Sequence, residues 1–383
     1  RGVDKIYPSK EELEQALRSG KKLRLYQGFD PTGTKLHVGH LVGLRKLADW
    51  QALGHEVIFL IGDGTGQAGD PSGKTRSREK FLSRKELRKN AKDYVKQAGK
   101  ILRFSGKNKI RVLFNGDWLN KLKLPEILNI AGNFSWQQLS ERDLFQERIS
   151  KGETLSLREA LYPLLQAYDS VAMGVDLEVG GSDQTFNMLF GRSLLKSMKG
   201  KDKFVMTTPL LTDSSGRKIG KTEGNVIALD DKPEELFGKI MTFPDEVIVK
   251  CFEYLTRVPM DEIKKIEEKI SAGENPMPFK KQLAYKLVED LHGKDAAGKA
   301  QGSFESAFQK KEIPEDAREV EAKGMMLETL VSAGAVESAS AGRRLFDAGA
   351  ITDLTLDKKT SAKDAPESGH TYKIGKHTFI KIK

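Results

Sequence analysis

LRLYQGFDPTGTKLHVGHLVGLRKLADWQALGHEVIFLIG, residues 23–62, decides the fold. LRLYQG (23–28) and VIFLIG (57–62) are short apolar runs closed by glycine, the pattern of buried strands. Between them Leu41, Leu44, Leu47, Ala48 and Leu53 recur at helical spacing. Strand, helix, strand in that order is a crossover unit of a parallel sheet. The next segments extend it. A glycine-rich loop is followed by a basic helical stretch at 77–101 and a third strand, RVLFN, at 111–115. Residues 118–173 read as mainly helical. LEVGGS (177–182) and FVMTTPLL (204–211) return to strand around a helix ending near 198.

After about residue 230 the texture changes. Segments 233–242, 245–257, 260–271, 277–292 and 294–309 are helical, punctuated by Pro233, Pro244, Pro259, Pro276 and Pro278. An Ala-, Glu- and Lys-rich stretch lies near 312–324. Two short helices (325–333 and 338–347), a polar loop and a hairpin turning at Gly375–Lys376 finish the chain. The expected architecture is therefore α/β: a Rossmann-like parallel-sheet domain over 1–225 with a helical insertion at about 118–160. An α-helical domain over 226–318 and a small α+β module over 325–383 follow.

Composition narrows the function. The 383 residues are 38% hydrophobic, enough for a real core, and no apolar run approaches the roughly 18 residues of a membrane span. The lone cysteine, Cys251, allows no intrachain disulfide or multi-cysteine metal site. It is read as a packed hydrophobe in a reducing, cytoplasmic setting. The net charge is +10. Lys74 to Arg111 holds 15 Lys or Arg against 3 Asp or Glu. A basic stripe of this kind suits phosphates or RNA, and equally a solvated helix face.

Four segments could carry chemistry. GFDPTGTKLHVGH (28–40) places His37 and His40 three apart at the mouth of a helix. A helix N-terminus attracts phosphate, and two imidazoles there could donate to it or simply cap the helix. GDGTGQAGDPSGKT (62–75) ends like a phosphate-binding P-loop but has Ala68 where that pattern needs glycine, which disfavours a P-loop enzyme. SSGRKIGKTEGN (214–225) carries Lys218 and Lys221, spaced to reach one polyphosphate. YPLLQAYD (162–169) puts Tyr162, Gln166 and Asp169 on one helical face, a phenol, an amide and a carboxylate together.

Each segment alone is ambiguous, but their order is not. HVGH, GDPSGK, YPLLQAYD, GGSDQ (180–184) and KIGKT (218–222), in this sequence, resemble a tyrosyl-tRNA synthetase of the bacterial type, a class I aminoacyl-tRNA synthetase. HVGH looks like that class's HIGH signature, and KIGKT like its KMSKS signature without the methionine. NPMPFKKQLAYKLVEDLHG (275–293) resembles the family's helical anticodon-binding domain, and ASAGRRLFDAGAI (339–351) its small RNA-binding module.

The resemblance implies tyrosine activation by ATP with Mg²⁺, then transfer to the tRNA for tyrosine, with no prosthetic group and no resident metal site. It assigns the tyrosine seat to Tyr26, Asp70, Tyr162, Gln166, Asp169 and Gln184. It assigns the nucleotide seat to Gln27, Gly28, Asp30, Thr32, His37, His40, Gly181, Asp183 and Lys221. His37, His40, Lys74, Arg78, Lys218 and Lys221 would act on the reacting phosphates. The family is homodimeric, so L-tyrosine, ATP, tRNA and a second copy are the expected partners, and no membrane is.

Overall fold

The computed structural model describes residues 1–72, 81–140, 143–154, 156–219, 221–222, 225–308, 317–336, 338–356, 358–375 and 378–383. The chain divides into two compact units, Arg1–Ala297 and Gly298–Lys383.

The first unit is built on a six-stranded sheet of β1 (Ile6–Tyr7), β2 (Arg24–Phe29), β3 (Glu56–Ile61), β4 (Arg111–Phe114), β5 (Leu177–Gly181) and β6 (Phe204–Thr208). The spatial order is β1-β6-β5-β2-β3-β4. All pairings are parallel except β1 with β6. The five parallel strands are those read from sequence, within a few residues. β1 is new: two residues give no periodicity, and it forms only because β6 offers it an edge. Val57, Ile58, Phe59, Leu60 and Ile61 are all buried, as a central parallel strand covered on both faces requires.

The Val38–Ala52 helix packs Leu41, Leu44 and Leu47 into this core. Leu53, expected on the same face, instead forms the C-cap and is exposed. The basic stretch yields a helix over Arg84–Ala98, shorter than read, with a Ser83–Glu86 capping box. Residues 118–173 give short helices at Leu124–Ala131, Trp136–Ser140 and Asp143–Ser150 before the long Leu157–Met173 helix. Beyond β6, the two-residue strands β7 (Lys221–Thr222) and β8 (Asn225–Val226) pair antiparallel. The helices Pro233–Met241, Ile248–Leu255, Met260–Ser271 and Met277–His292 follow the proline punctuation. Cys251 is buried and its thiol pushed up by desolvation, as a packed hydrophobe should be.

The second unit holds a five-stranded sheet of β9 (Arg318–Val320), β10 (Ile351–Asp353), β11 (Lys358–Lys359), β12 (Thr371–Ile374) and β13 (Thr378–Ile382). Its order is β11-β10-β12-β13-β9. The sequence reading supplied only the β12–β13 hairpin. β9 lies in the Ala-, Glu- and Lys-rich stretch, for which no strand is expected, and pairs parallel with β13 across some 60 residues, a partner that local pattern cannot reveal. The helices Met326–Ser332 and Ala339–Asp347 accompany this sheet, whose core includes Met326, Leu330, Ile351 and Tyr372.

Candidate active site

The sheet order reverses between β2 and β5, and the carboxyl ends of strands at such a switch point frame a crevice. There the first unit holds a cleft of about 560 Å³. It gathers Tyr26, Gln27, Gly28, Asp30, Thr32, His37, His40, Asp70, Tyr162, Gln166, Asp169, Gly181, Asp183, Gln184 and Lys218, contributed by segments as far as 192 residues apart in sequence. Lys74 and Arg78 lie outside the described residues, and Lys221 is placed by its backbone only.

At the deep end stands Asp169, buried on the Leu157–Met173 helix. Its Oδ1 accepts from Trp118 Nε1 at 2.8 Å and its Oδ2 from Asn115 Nδ2 at 3.0 Å. Burial pushes the carboxyl well above the usual range, and these two donors pull the other way. Asn115 cannot turn over: its Oδ1 accepts from Gly64 N (2.8 Å) while its Nδ2 also donates to Thr65 Oγ1 (2.9 Å). The turn carrying Asn115 and Trp118 is anchored by the fully buried Asp63. That carboxylate accepts from Gly116 N (2.7 Å), Arg84 Nε (2.8 Å) and Arg88 Nε (2.7 Å). Two cations of the basic stripe therefore serve the fold. Tyr26 is buried opposite, its hydroxyl 3.1 Å from Ser170 Oγ, and burial holds its phenol protonated. Asn115, Trp118 and Asp63 were not singled out from sequence. FNGDW carries one charge, Asp117, and no period, so nothing local marks Asn115 or Trp118, and the contacts span about 50 residues.

Midway along the cleft, Gln166 Nε2 donates to Glu178 Oε1 (3.0 Å), and Gln166 Oε1 is buried with no partner among the described residues. Asp70 Oδ2 accepts from Gln184 Nε2 (3.0 Å), and its Oδ1 from Ser72 N (2.8 Å). Tyr162 is buried, its phenol raised by desolvation and by the nearby Asp30 and Asp70. Phenol, amide and carboxylate oxygens converging here suit an ammonium group.

At the open end His37 is the N-cap of the Val38–Ala52 helix. Its Nδ1 accepts from Gly39 N (3.2 Å), and His40 Nδ1 accepts from His37 N (3.1 Å). The two sequence readings, cap and phosphate donor, are thus compatible. With Nδ1 engaged as acceptor, a neutral ring carries its proton on Nε2. Lys218 Nζ donates to Asp183 Oδ2 at 2.7 Å. Gln27 lies across Gly43: a Cβ there would sit 2.4 Å from Gln27 Oε1. That oxygen has no partner among the described residues.

Residues 18–309 match the family described as tRNA synthetases class I (W and Y). The chain is 38% identical to the tyrosine–tRNA ligase of Carboxydothermus hydrogenoformans, covering all of this chain and 96% of that protein. It is 38% identical to the Thermotoga maritima ligase, with coverages of 98% and 94%. Its fold is similar to the C-terminally truncated mitochondrial tyrosyl-tRNA synthetase of Aspergillus nidulans (TM-score 0.68, 28% identity, covering 80% of this chain and 91% of that one). The Plasmodium falciparum tryptophanyl-tRNA synthetase shares the fold at TM-score 0.54 and 16% identity, covering 76% of this chain and 80% of that one. The chain therefore belongs to the tyrosyl-tRNA synthetases of class I, the ligases that join tyrosine to tRNA.

Proposed function

We propose that the cleft seats tyrosine with its phenol at Tyr26 and Asp169 and its ammonium among Asp70, Tyr162, Gln166 and Gln184. ATP lies over Gln27, Gly28, Asp30, Thr32, Gly181 and Asp183. The observation that carries this reading is the buried Asp169, held by Asn115 and Trp118 as an acceptor at the closed end of the cleft. A buried acceptor fixed by two donors suits a phenolic O–H, and a phenyl ring would leave it without that partner.

The substrate carboxylate is already a nucleophile and needs no general base. It attacks the α-phosphorus, and negative charge gathers on the phosphate oxygens as pyrophosphate leaves. Catalysis is then positioning plus donors that meet this charge. His37 and His40 present Nε2–H for that purpose, and Lys74, Arg78, Lys218 and Lys221 supply cations. Lys218 must leave Asp183 to do so, which frees that carboxylate for the ribose. Mg²⁺, carried in with ATP, would supply charge screening of the nucleotide's phosphates. The cationic and imidazole donors nearby fit a metal carried by the nucleotide rather than by protein carboxylates.

Residues 1–225 perform activation, 226–318 read the anticodon, and 325–383 contact the long variable arm of the tRNA. The enzyme works as a cytoplasmic homodimer through the insertion around 118–160. Leu124, Leu128, Trp136 and Leu157 are 67%, 61%, 63% and 72% exposed there, large apolar side chains that a second copy would cover. Amino-acid-dependent ATP–pyrophosphate exchange with tyrosine, phenylalanine, tryptophan or none tests the seat. Exchange with tyrosine alone supports it; equal exchange with phenylalanine refutes it.

A further inference from the structure

Behind the phenol end lies a buried ion pair that the reaction as described does not use. Lys203, just before β6, and Glu178, on β5, are both buried, and Lys203 Nζ donates to Glu178 Oε2. It also donates to Ser170 Oγ at 2.6 Å. Ser170 Oγ is 3.1 Å from the Tyr26 hydroxyl and 3.5 Å from Glu178 Oε2. Glu178 and Tyr26 are register partners on adjacent parallel strands, so both side chains leave the sheet on one face. Lys203 Nζ also sits 5.7 Å from the centre of the Tyr26 ring. A buried ammonium is costly, and its pKa is pulled down by that burial. A hydrophobic residue would fill the position with less penalty.

The chain makes room for this cation. Gly191 lies inside the Thr185–Lys199 helix, where glycine is unfavourable by about 1 kcal/mol against alanine. A Cβ at 191 would come within 2.8 Å of Lys203 Nζ and 3.0 Å of Ser170 Oγ. The glycine is thus the slot that admits the ammonium to the serine.

The shortest contacts favour one direction of donation. Lys203 can only donate, so it occupies a lone pair of Ser170 and an oxygen of Glu178. Glu178 Oε2 is already engaged by the ammonium and lies 3.5 Å from Ser170 Oγ, so the nearer Tyr26 oxygen, at 3.1 Å, is the better acceptor for the serine proton. That oxygen then accepts from within, and the Tyr26 proton is turned toward the cleft. We propose that Lys203, through Ser170, is a positioning residue. It sets the polarity of the Tyr26 hydroxyl so that Tyr26 donates to the substrate phenol oxygen while Asp169 accepts its proton. Glu178 extends the same frame to Gln166, through the bond to Gln166 Nε2. Selection of phenol over phenyl then depends on a lysine that never meets substrate. This proposal rests on the phenol seat given above.

The test is ATP–pyrophosphate exchange on the full chain, read as the ratio of kcat/KM for tyrosine to that for phenylalanine. Ser170→Ala removes the relay and keeps the packing. It should lower the ratio about tenfold through KM for tyrosine, the worth of one directed hydrogen bond, and leave KM for ATP within about twofold. Gly191→Ala strengthens the helix yet closes the slot, and should lower the ratio in the same direction. Lys203→Met paired with Glu178→Gln removes both charges together and should do likewise. In a Tyr26→Phe background, Ser170→Ala should have no further effect on the ratio. If Tyr26→Phe lowers the ratio and Ser170→Ala with Gly191→Ala do not, the relay is refuted and the seat stands. An additive double variant also refutes the relay. If Tyr26→Phe itself leaves the ratio unchanged, the seat fails and the relay with it. A purely structural lysine would shift the unfolding temperature and leave the ratio alone.

Discussion

Replacing Asp169 by asparagine keeps the volume and shape of the side chain and inverts one of its hydrogen-bonding atoms. The carboxylate faces two fixed donors, Trp118 Nε1 and Asn115 Nδ2. Trp118 can only donate, and Asn115 cannot flip without orphaning Gly64 N. One amide oxygen can satisfy one of the two, so the new NH₂ must oppose the other. An unsatisfied buried donor costs about 1–3 kcal/mol, offset in part by removal of a buried charge. The substrate phenol also loses a charged acceptor, worth about 1.5–3 kcal/mol. Asp169→Asn should therefore lower kcat/KM for tyrosine by about ten- to a hundredfold, with little change for phenylalanine or in KM for ATP. Pyrophosphate exchange measures all three.

The pH dependence gives a second reading of the same group. Burial raises the Asp169 carboxyl, so the folded chain holds its proton more tightly than the unfolded one. In the window between the unfolded carboxyl value and the raised folded value, this group makes stability fall as pH rises. Tyrosine affinity should improve across the same window, because the ionised form is the better acceptor. Asp169→Asn should abolish both slopes. If KM for ATP rises in step with KM for tyrosine, or the acid slope of tyrosine affinity survives, Asp169 does not meet the phenol.

Two further variants separate structure from chemistry. His37→Asn retains a side-chain acceptor for the helix cap but loses the imidazole donor. Its unfolding temperature should stay near wild type while kcat falls about 10²-fold; His37→Ala should lose about 1 kcal/mol of stability as well. Asp63→Ala orphans Gly116 N and releases Arg84 and Arg88. It should cost about 2–3 kcal/mol in denaturant unfolding, less than a fully buried pair because both guanidiniums are partly exposed.

Local pattern carried the five parallel strands, the proline-marked helices after residue 230 and the face of YPLLQAYD, because period and punctuation are properties of neighbouring residues. The same holds for HVGH, where a strand hands over to a helix. What it could not carry is reciprocity across the fold. Asp169 is legible as a carboxylate on a helical face, but its donors sit after β4 and are set by Gly64 and Asp63. Lys203 reads as one lysine in GKDKF until Gly191 and Ser170 are brought beside it. β1 and β9 fail for the same reason: short strands owe their existence to a distant edge.

Gln27 and Gly43 have a consequence for anyone altering this enzyme. The two positions share one volume, since any side chain at 43 would overlap the Gln27 amide. Position 43 is helical and imposes no conformational demand for glycine. A single substitution at 43 must push the Gln27 amide aside, so a scan would score at 43 an effect whose cause lies at 27. A library in which both vary, a shorter residue at 27 alongside a larger one at 43, should recover folded variants with a reshaped cleft lining. The unit of substitution here is the pair.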